Sequence, residues 1–190
     1  MRVTAVIGSP RKKGNSAAIV GMLLEALKPA AAPKVFELNG MSYRGCQACM
    51  ACKTGSETCV VKDDLTGVLD EINVSDVVIV ASPVYIGEVT AQAKGLIDRF
   101  FCLLKPDYRT NANPGRLAPG KSLIFVVPQG NPDEAAFADM ITRYAGPFRR
   151  FGFSKMYPLR ALGAGPQSDM RQDRVVVERV ARIAAEILAG

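Results

Sequence analysis

Four apolar, β-branched runs punctuate the chain, Val3 to Gly8, Lys34 to Leu38, Asp76 to Ala81 and Lys121 to Val127, and each ends in turn residues. A weaker fifth run covers Lys155 to Leu162. Amphipathic stretches alternate with them: Ser16 to Leu27, Leu65 to Ile72, Thr90 to Leu104, Asp133 to Phe151 and Gln172 to Leu188 read as helices. The first and third runs are almost continuously apolar, as strands covered by helices on both faces must be. The pattern predicts an α/β fold, a doubly wound parallel sheet of five strands in the order 2-1-3-4-5.

Three segments interrupt the alternation: Asn39 to Asp64, Lys105 to Gly120, and Gly163 to Met170. The second is rich in turn residues (Asn111, Asn113, Pro114, Gly115, Pro119, Gly120), and a connection of that length in a compact domain usually serves binding or a subunit contact. There is no internal repeat and no low-complexity tract. Gly163 to Pro166 is turn chemistry rather than a boundary. With 190 residues, 48% of them hydrophobic, the chain is expected to form one domain over 1–190, carrying a cysteine-rich insertion at about 40–64.

Composition narrows the chemistry. The chain has no His and no Trp, which excludes a Ser-His-Asp or Cys-His couple and an imidazole zinc site, so difficult chemistry falls to a cofactor. Lys and Arg number 24 against 18 Asp and Glu, a net charge of 24 − 18 = +6; anionic cofactors account for that excess as well as nucleic acid does. The longest apolar runs fall far short of the ~18 residues of a spanning helix, and no apolar h-region follows the start. The expectation is a cytoplasmic protein with neither membrane nor nucleic-acid partners.

Directly after the first strand comes Gly8-Ser9-Pro10-Arg11-Lys12-Lys13-Gly14-Asn15-Ser16, running into the first helix. Free N–H groups at a helix start, the hydroxyls of Ser9 and Ser16, the Asn15 amide and the Arg11 guanidinium form a donor set for a phosphate dianion. Neither a Walker A loop nor a Gly-x-Gly-x-x-Gly fingerprint can be drawn here. The plainer alternative is that Asn15 or Ser16 caps a helix and Arg11, Lys12 and Lys13 form a solvated turn. After the third strand stands Ser82-Pro83-Val84-Tyr85-Ile86-Gly87, where Pro83 stops the ladder, Gly87 permits close approach and Tyr85 offers a flat face to a planar ring, or packs on the sheet top with no ligand.

Taken together, Gly-Ser-Pro-Arg-x-x-Gly-Asn-Ser, Ser-Pro-Val-Tyr-x-Gly and Ala-Gln-x-Lys-x-x-Ile-Asp-Arg resemble the flavodoxin-like NAD(P)H-dependent FMN reductases, and the cysteine segment is similar to that of their iron-sulfur flavoprotein branch. The likeness runs from Arg2 to about Val127, with only the strand and helix pattern agreeing beyond. It implies that Ser9, Arg11, Asn15, Ser16 and Ala17 hold the FMN phosphate and that Pro83, Val84, Tyr85, Ile86 and Gly87 line the isoalloxazine. The loop Pro128-Gln129-Gly130-Asn131 occupies a third place where such a fold touches the ring, which adds Gln129 and Gly130.

Cys46-x2-Cys49-x2-Cys52-x6-Cys59 supplies four thiolates in one short loop, the ligand count of a [4Fe–4S] cluster. Free or redox-active thiols are the alternative, and zinc a third, disfavoured because all-cysteine zinc sites pair two separated knuckles. Cys102, in an apolar stretch, is expected to be a core residue. The five cations Arg143, Arg149, Arg150, Lys155 and Arg160 read as a solvated face rather than a site for an NADPH phosphate or an acidic partner.

The resemblance implies an enzyme in which NAD(P)H reduces FMN and the flavin passes electrons to a second acceptor. The alternative is a non-enzymatic FMN and iron-sulfur carrier that relays single electrons between proteins, for example from a ferredoxin-like donor. A homodimer or higher homo-oligomer, with the active site near the subunit contact, is expected on the same ground.

Overall fold

A computed structural model describes residues 1–28 and 32–190. Strands β1 (Arg2–Ile7), β2 (Ala32–Glu37), β3 (Val77–Ala81), β4 (Ser122–Pro128) and β5 (Lys155–Ala161) form one sheet in the order β2-β1-β3-β4-β5. Every neighbouring pair is parallel. The predicted doubly wound, flavodoxin-like order is therefore the observed one.

The period of two along each strand divides the core. Val6, Val80 and Phe125 lie side by side in register and point to one face. Ala5, Ile79 and Ile124 point to the other. The second face is covered by α1 (Asn15–Leu27) and α6 (Arg174–Leu188), which bring Ile19, Leu23, Val176 and Val180. The first is covered by α3 (Leu65–Val74), α4 (Ala91–Arg99) and α5 (Asp139–Phe151), with Phe148 packed edge-on against Phe125 at 5.4 Å between ring centres. β3 and β4 are buried throughout, which is why their sequences tolerate no alternation. Pro33 and Pro158 fall in β2 and β5, the two edge strands, where a residue without an N–H leaves the ladder intact.

Among the boundaries that move are three helix ends, one for a tertiary reason and two through local side-chain bonds. The fourth helix ends at Arg99 and tightens into a 3-10 turn over Phe100–Leu103 rather than running on to Leu104, because the Lys53 ammonium takes the carbonyls of Phe101 and Leu104, each at 2.6 Å. The fifth helix begins at Asp139, not Asp133: the Asn131 and Asp133 side chains accept from the N–H groups of Asp133 and Ala135, both at 2.9 Å, and hold turns instead. The last helix begins at Arg174, two residues later than expected, where the Asp173 carboxylate accepts from Val176 N at 3.1 Å. A four-residue helix, α2 (Ala51–Thr54), lies unforeseen inside the cysteine segment. Among the described residues no helix is long and apolar enough to cross a membrane.

Candidate functional site

The carboxyl ends of β1, β3 and β4 meet at one edge of the sheet, and the loops leaving them continue its hydrogen bonding. Gly8 N donates to Ala81 O at 2.7 Å, Ser82 N to Val126 O at 2.9 Å, and Val84 N to Pro128 O at 3.0 Å. Gly8 is obligatory by contact: a Cβ there would stand 2.7 Å from the Cβ of Ala93 on α4. A cleft of about 300 Å³ opens above this edge.

One end of the cleft is the first loop. Gly14 is the N-cap of α1 and no side chain caps that helix; its first internal bond is Ala18 N to Gly14 O, which leaves the preceding amides without intrahelical acceptors. Ser16 is 1% exposed, and its hydroxyl lacks any hydrogen-bond partner. Ser9 Oγ accepts from Arg11 N at 3.2 Å, and Ser9, Arg11, Gly14, Asn15 and Ser16 all line the cleft. Neither Asn15 nor Ser16 is the cap that the plainer reading required. The Asn15 amide instead donates to Ala164 O and Gly165 O, both at 2.9 Å, and Arg11 Nη2 donates to Pro166 O at 3.1 Å.

The other end is formed by Pro83, Val84 and Tyr85, with Tyr85 45% exposed. Tyr85 and Glu88 exchange both backbone hydrogen bonds, 2.8 and 3.0 Å, around a tight turn with Ile86 at φ +51° and Gly87 at φ +75°. Ile86 stands fully exposed at the tip. Gly87 backs onto the Phe137 ring, so neither residue lines the cleft. Arg143 Nη1 and the Tyr144 hydroxyl both donate to the Glu88 carboxylate at 2.7 Å. Burial raises the pKa of that carboxyl, but these two donors and the Val89 N–H outweigh it and hold it below the ordinary range. With its Nε also on Asp139 at 2.8 Å, Arg143 is spoken for within the chain.

Of the β4 loop, Pro128 and Gly130 reach the cleft and Gln129 does not. Its buried amide donates to Asn131 O and Asp133 O and accepts from Arg160 Nη2 at 2.7 Å, so it braces the loop from beneath. Ala17 is likewise absent from the wall. Sequence reading missed Ala164, Gly165 and Pro166, which close the third side after β5; turn chemistry was their only signal.

The four clustered cysteines converge elsewhere. Cys46, Cys49, Cys52 and Cys59 border one narrow pocket of about 20 Å³, together with Arg99, Phe101 and Cys102. Ala48 and Met50 adopt φ of +51° and +58°, left-handed reversals between the first three cysteines that turn the loop around the pocket. Cys52, on α2, is buried, whereas Cys46 and Cys49 are exposed. Among the described residues no group of three or more Cys, Asp or Glu side chains is placed to hold a metal ion. Cys102 is the core residue expected, yet it also borders this pocket; burial first, then Cys59 and Cys52, pushes its thiol up to about 11.

Comparison with known proteins bears on both regions. An iron-sulfur flavoprotein of Methanosarcina thermophila is 36% identical over 110 residues, 57% of this chain and 56% of its own length. One of Archaeoglobus fulgidus is 33% identical over 138 residues, 72% of this chain and 59% of its own length. The chain thus spans little more than half the length of these curated relatives. An NAD(P)H:quinone oxidoreductase of Methanothermobacter marburgensis superposes with a TM-score of 0.76 at 17% identity, over 98% of this chain and 96% of that one. An FMN-dependent NADH-azoreductase of Bacillus anthracis, solved with FMN, does so with the same score at 13% identity, over 98% and 99%; at such identities these two establish the shared fold. The family model of NADPH-dependent FMN reductases matches residues 1–142, and with the first loop, the Pro83–Tyr85 wall and the strand order all in place, the chain belongs to that family.

Proposed function

We propose that the cleft binds FMN and that the protein is an NAD(P)H-dependent FMN oxidoreductase. The observation that carries this reading is the Ser16 hydroxyl, buried without a partner at an uncapped helix start on the cleft wall. A buried donor left unpaired costs about 1–3 kcal/mol, a cost that a bound phosphate relieves. Ser9, Arg11 and the first-turn amides, including that of Ala17, complete an anion cradle, and Asn15 acts by tying the loop to Ala164 and Gly165. Pro83, Val84, Tyr85 and Gly130 supply the flat, partly apolar wall for the ring, with Ile86 and Gly87 fixing the turn that presents Tyr85.

FMN, when bound, supplies the hydride acceptance and electron release that no side chain of this chain offers. The residues hold the phosphate, orient the ring at the sheet edge and brace the loops. The test is the purified protein itself: it is expected to be yellow, to release FMN and not FAD, and to be bleached anaerobically by NADPH or NADH.

The thiol pocket we assign to a [4Fe–4S] cluster. Four cysteines bordering one pocket supply the thiolate count of a multi-iron group, and their compact spacing departs from the two separated knuckles of an all-cysteine zinc site. The pocket is narrow, and its exposed walls, Cys46 and Cys49, are the ones able to yield to that occupant. Anaerobic absorbance with iron and sulfide analysis tests it. The exposure of Cys46 and Cys49 favours a second reading, a carrier of single electrons between protein partners. Slow bleaching by nicotinamide alongside fast reduction by a ferredoxin-like donor distinguishes it.

A further inference from the structure

Arg99 closes α4 with a side chain that is 0% exposed. Its Nη1 donates to Asp63 Oδ2 at 2.8 Å and to Arg44 O at 3.0 Å, and its Nη2 to Val61 O at 2.9 Å. Arg44 and Val61 stand two residues outside Cys46 and Cys59, so one guanidinium fastens both ends of the cysteine loop. Its Nε has no hydrogen-bond partner, although Arg99 borders the thiol pocket and the Cys59 thiol lies near enough to meet the guanidinium in both charge and hydrogen bonding.

The balance of buried charge is uneven here. The Asp63 carboxylate also accepts from Arg44 N and Leu65 N, both at 3.1 Å, so it is shared among three donors. A second buried cation, Lys53, follows Cys52 directly; its partners are the two carbonyls of Phe101 and Leu104 and the Phe101 ring at 4.3 Å. Arg99 thus lies on the thiol pocket and Lys53 behind it, on the carbonyls of Phe101 and Leu104, while the one carboxylate bonded to either cation is Asp63 on Arg99, an arrangement that an anionic occupant would neutralise.

We infer that Arg99, assisted by Lys53, is a positioning and charge-compensating residue for the iron-sulfur group, offering its free Nε–H to the sulfur shell and raising the reduction potential. This rests on the cluster reading above. A cluster held by four thiolates is anionic and gains one more negative charge when it accepts an electron. Adjacent cations and N–H donors therefore favour the reduced form, the levers of net charge and hydrogen bonding that set such potentials. The electron comes from the chemical reductant of the titration, and no bond forms or breaks.

The experiment is an anaerobic redox titration of the full chain with its flavin, following the iron-sulfur signal by EPR and FMN by absorbance in the same sample. Arg99→Gln is expected to reduce the ratio of reduced to oxidised cluster at a fixed potential by tenfold or more, 59 mV for one electron, with the FMN potential unmoved. Lys53→Gln, which keeps a donor and loses the charge, is expected to move it the same way by less, and Arg99→Lys to recover part of the loss. If Arg99→Gln fails to retain iron, the other two variants decide. Iron-loaded variants with the wild-type potential overturn the inference, as does loss of iron from all three, which would make the two cations structural. Wild-type protein without stoichiometric iron and sulfide defeats the cluster reading itself.

Discussion

The Thr90 hydroxyl donates to the Gly8 carbonyl at 2.6 Å while accepting from Ala93 N at 3.2 Å. One atom therefore caps α4 and pins the first residue of the phosphate loop, coupling two loops that contribute opposite ends of the cleft. Thr90 is buried, so Thr90→Val keeps the shape and removes both bonds, together with the longer one that its hydroxyl accepts from Ser82 Oγ at 3.4 Å. It is expected to lower stability by about 2–3 kcal/mol, combining a lost cap with a buried carbonyl left without its donor. Urea unfolding measures this, and a change below about 0.5 kcal/mol, the ordinary range for a surface substitution, would sink the coupling.

Ser16 offers a sharper test, since the free protein gains nothing visible from its hydroxyl. Ser16→Ala is expected to leave apoprotein stability unchanged or raised, because a buried unpaired group is removed, while FMN binds more weakly. Combined with Arg11→Ala, the loss of FMN affinity is expected to be about 2–4 kcal/mol. Fluorescence titration reads it; an unaltered Kd in the double variant would falsify the phosphate assignment.

The same loop shows how far reading the chain alone could go. The strands and the phosphate loop are legible because their signals are local: β1 and β3 announce burial by unbroken apolar runs, and Ser9 to Ser16 follows β1 directly; the order then follows from the βα alternation of the whole chain. The start of α5 was not legible, because Asp133 to Ala138 has a helix-compatible pattern that the Asn131 and Asp133 side chains divert into turns. The place of Gln129 in a loop points it to the ring, whereas the Asn131 and Asp133 carbonyls and Arg160 on the neighbouring strand hold its amide inward. Arg99 and Cys102 sit some forty residues after the last clustered cysteine, and the return of α4 beneath that segment is what brings them to the thiols.

Replacing Cys46, Cys49, Cys52 or Cys59 singly with Ser is expected to abolish iron binding and the broad iron-sulfur absorbance while FMN is retained, since the phosphate and ring walls lie on other loops. If the wild type instead holds no iron, if all four thiols react with a thiol reagent and if the Ser variants share its spectrum, the cysteines are free thiols and the FMN reading stands without them.

Acid stability should depend on Asp63. Burial raises its pKa, but the Arg44 N–H, the Arg99 guanidinium and the Leu65 N–H together bring it below the unperturbed 3.8. A depressed folded pKa means a contribution fully present above the unfolded value and lost as the pH falls through the folded one. Asp63→Asn should therefore lower stability at neutral pH and flatten the acid limb below about pH 4. Urea midpoints across that range test it, and parallel curves for the two proteins would refute it.

A homodimer is expected in solution. Sedimentation of the FMN-loaded protein at micromolar concentration checks it, and a fully active monomer ends the idea. The segment Lys105 to Gly120 is fastened to its own chain by Lys105 N to Pro114 O at 2.8 Å and Arg116 N to Leu103 O at 2.7 Å, and its exposed middle is the contact to test.

Which faces can meet is constrained by the two edge prolines. An open sheet invites another chain to add a strand by offering a regular row of donors and acceptors along its rim. Pro33 on β2 and Pro158 on β5 each interrupt that row, so both rims of the sheet are poor templates for strand addition. The sheet is thereby guarded against edge-to-edge polymerisation, and any assembly of this chain is steered toward contacts between its helices and loops.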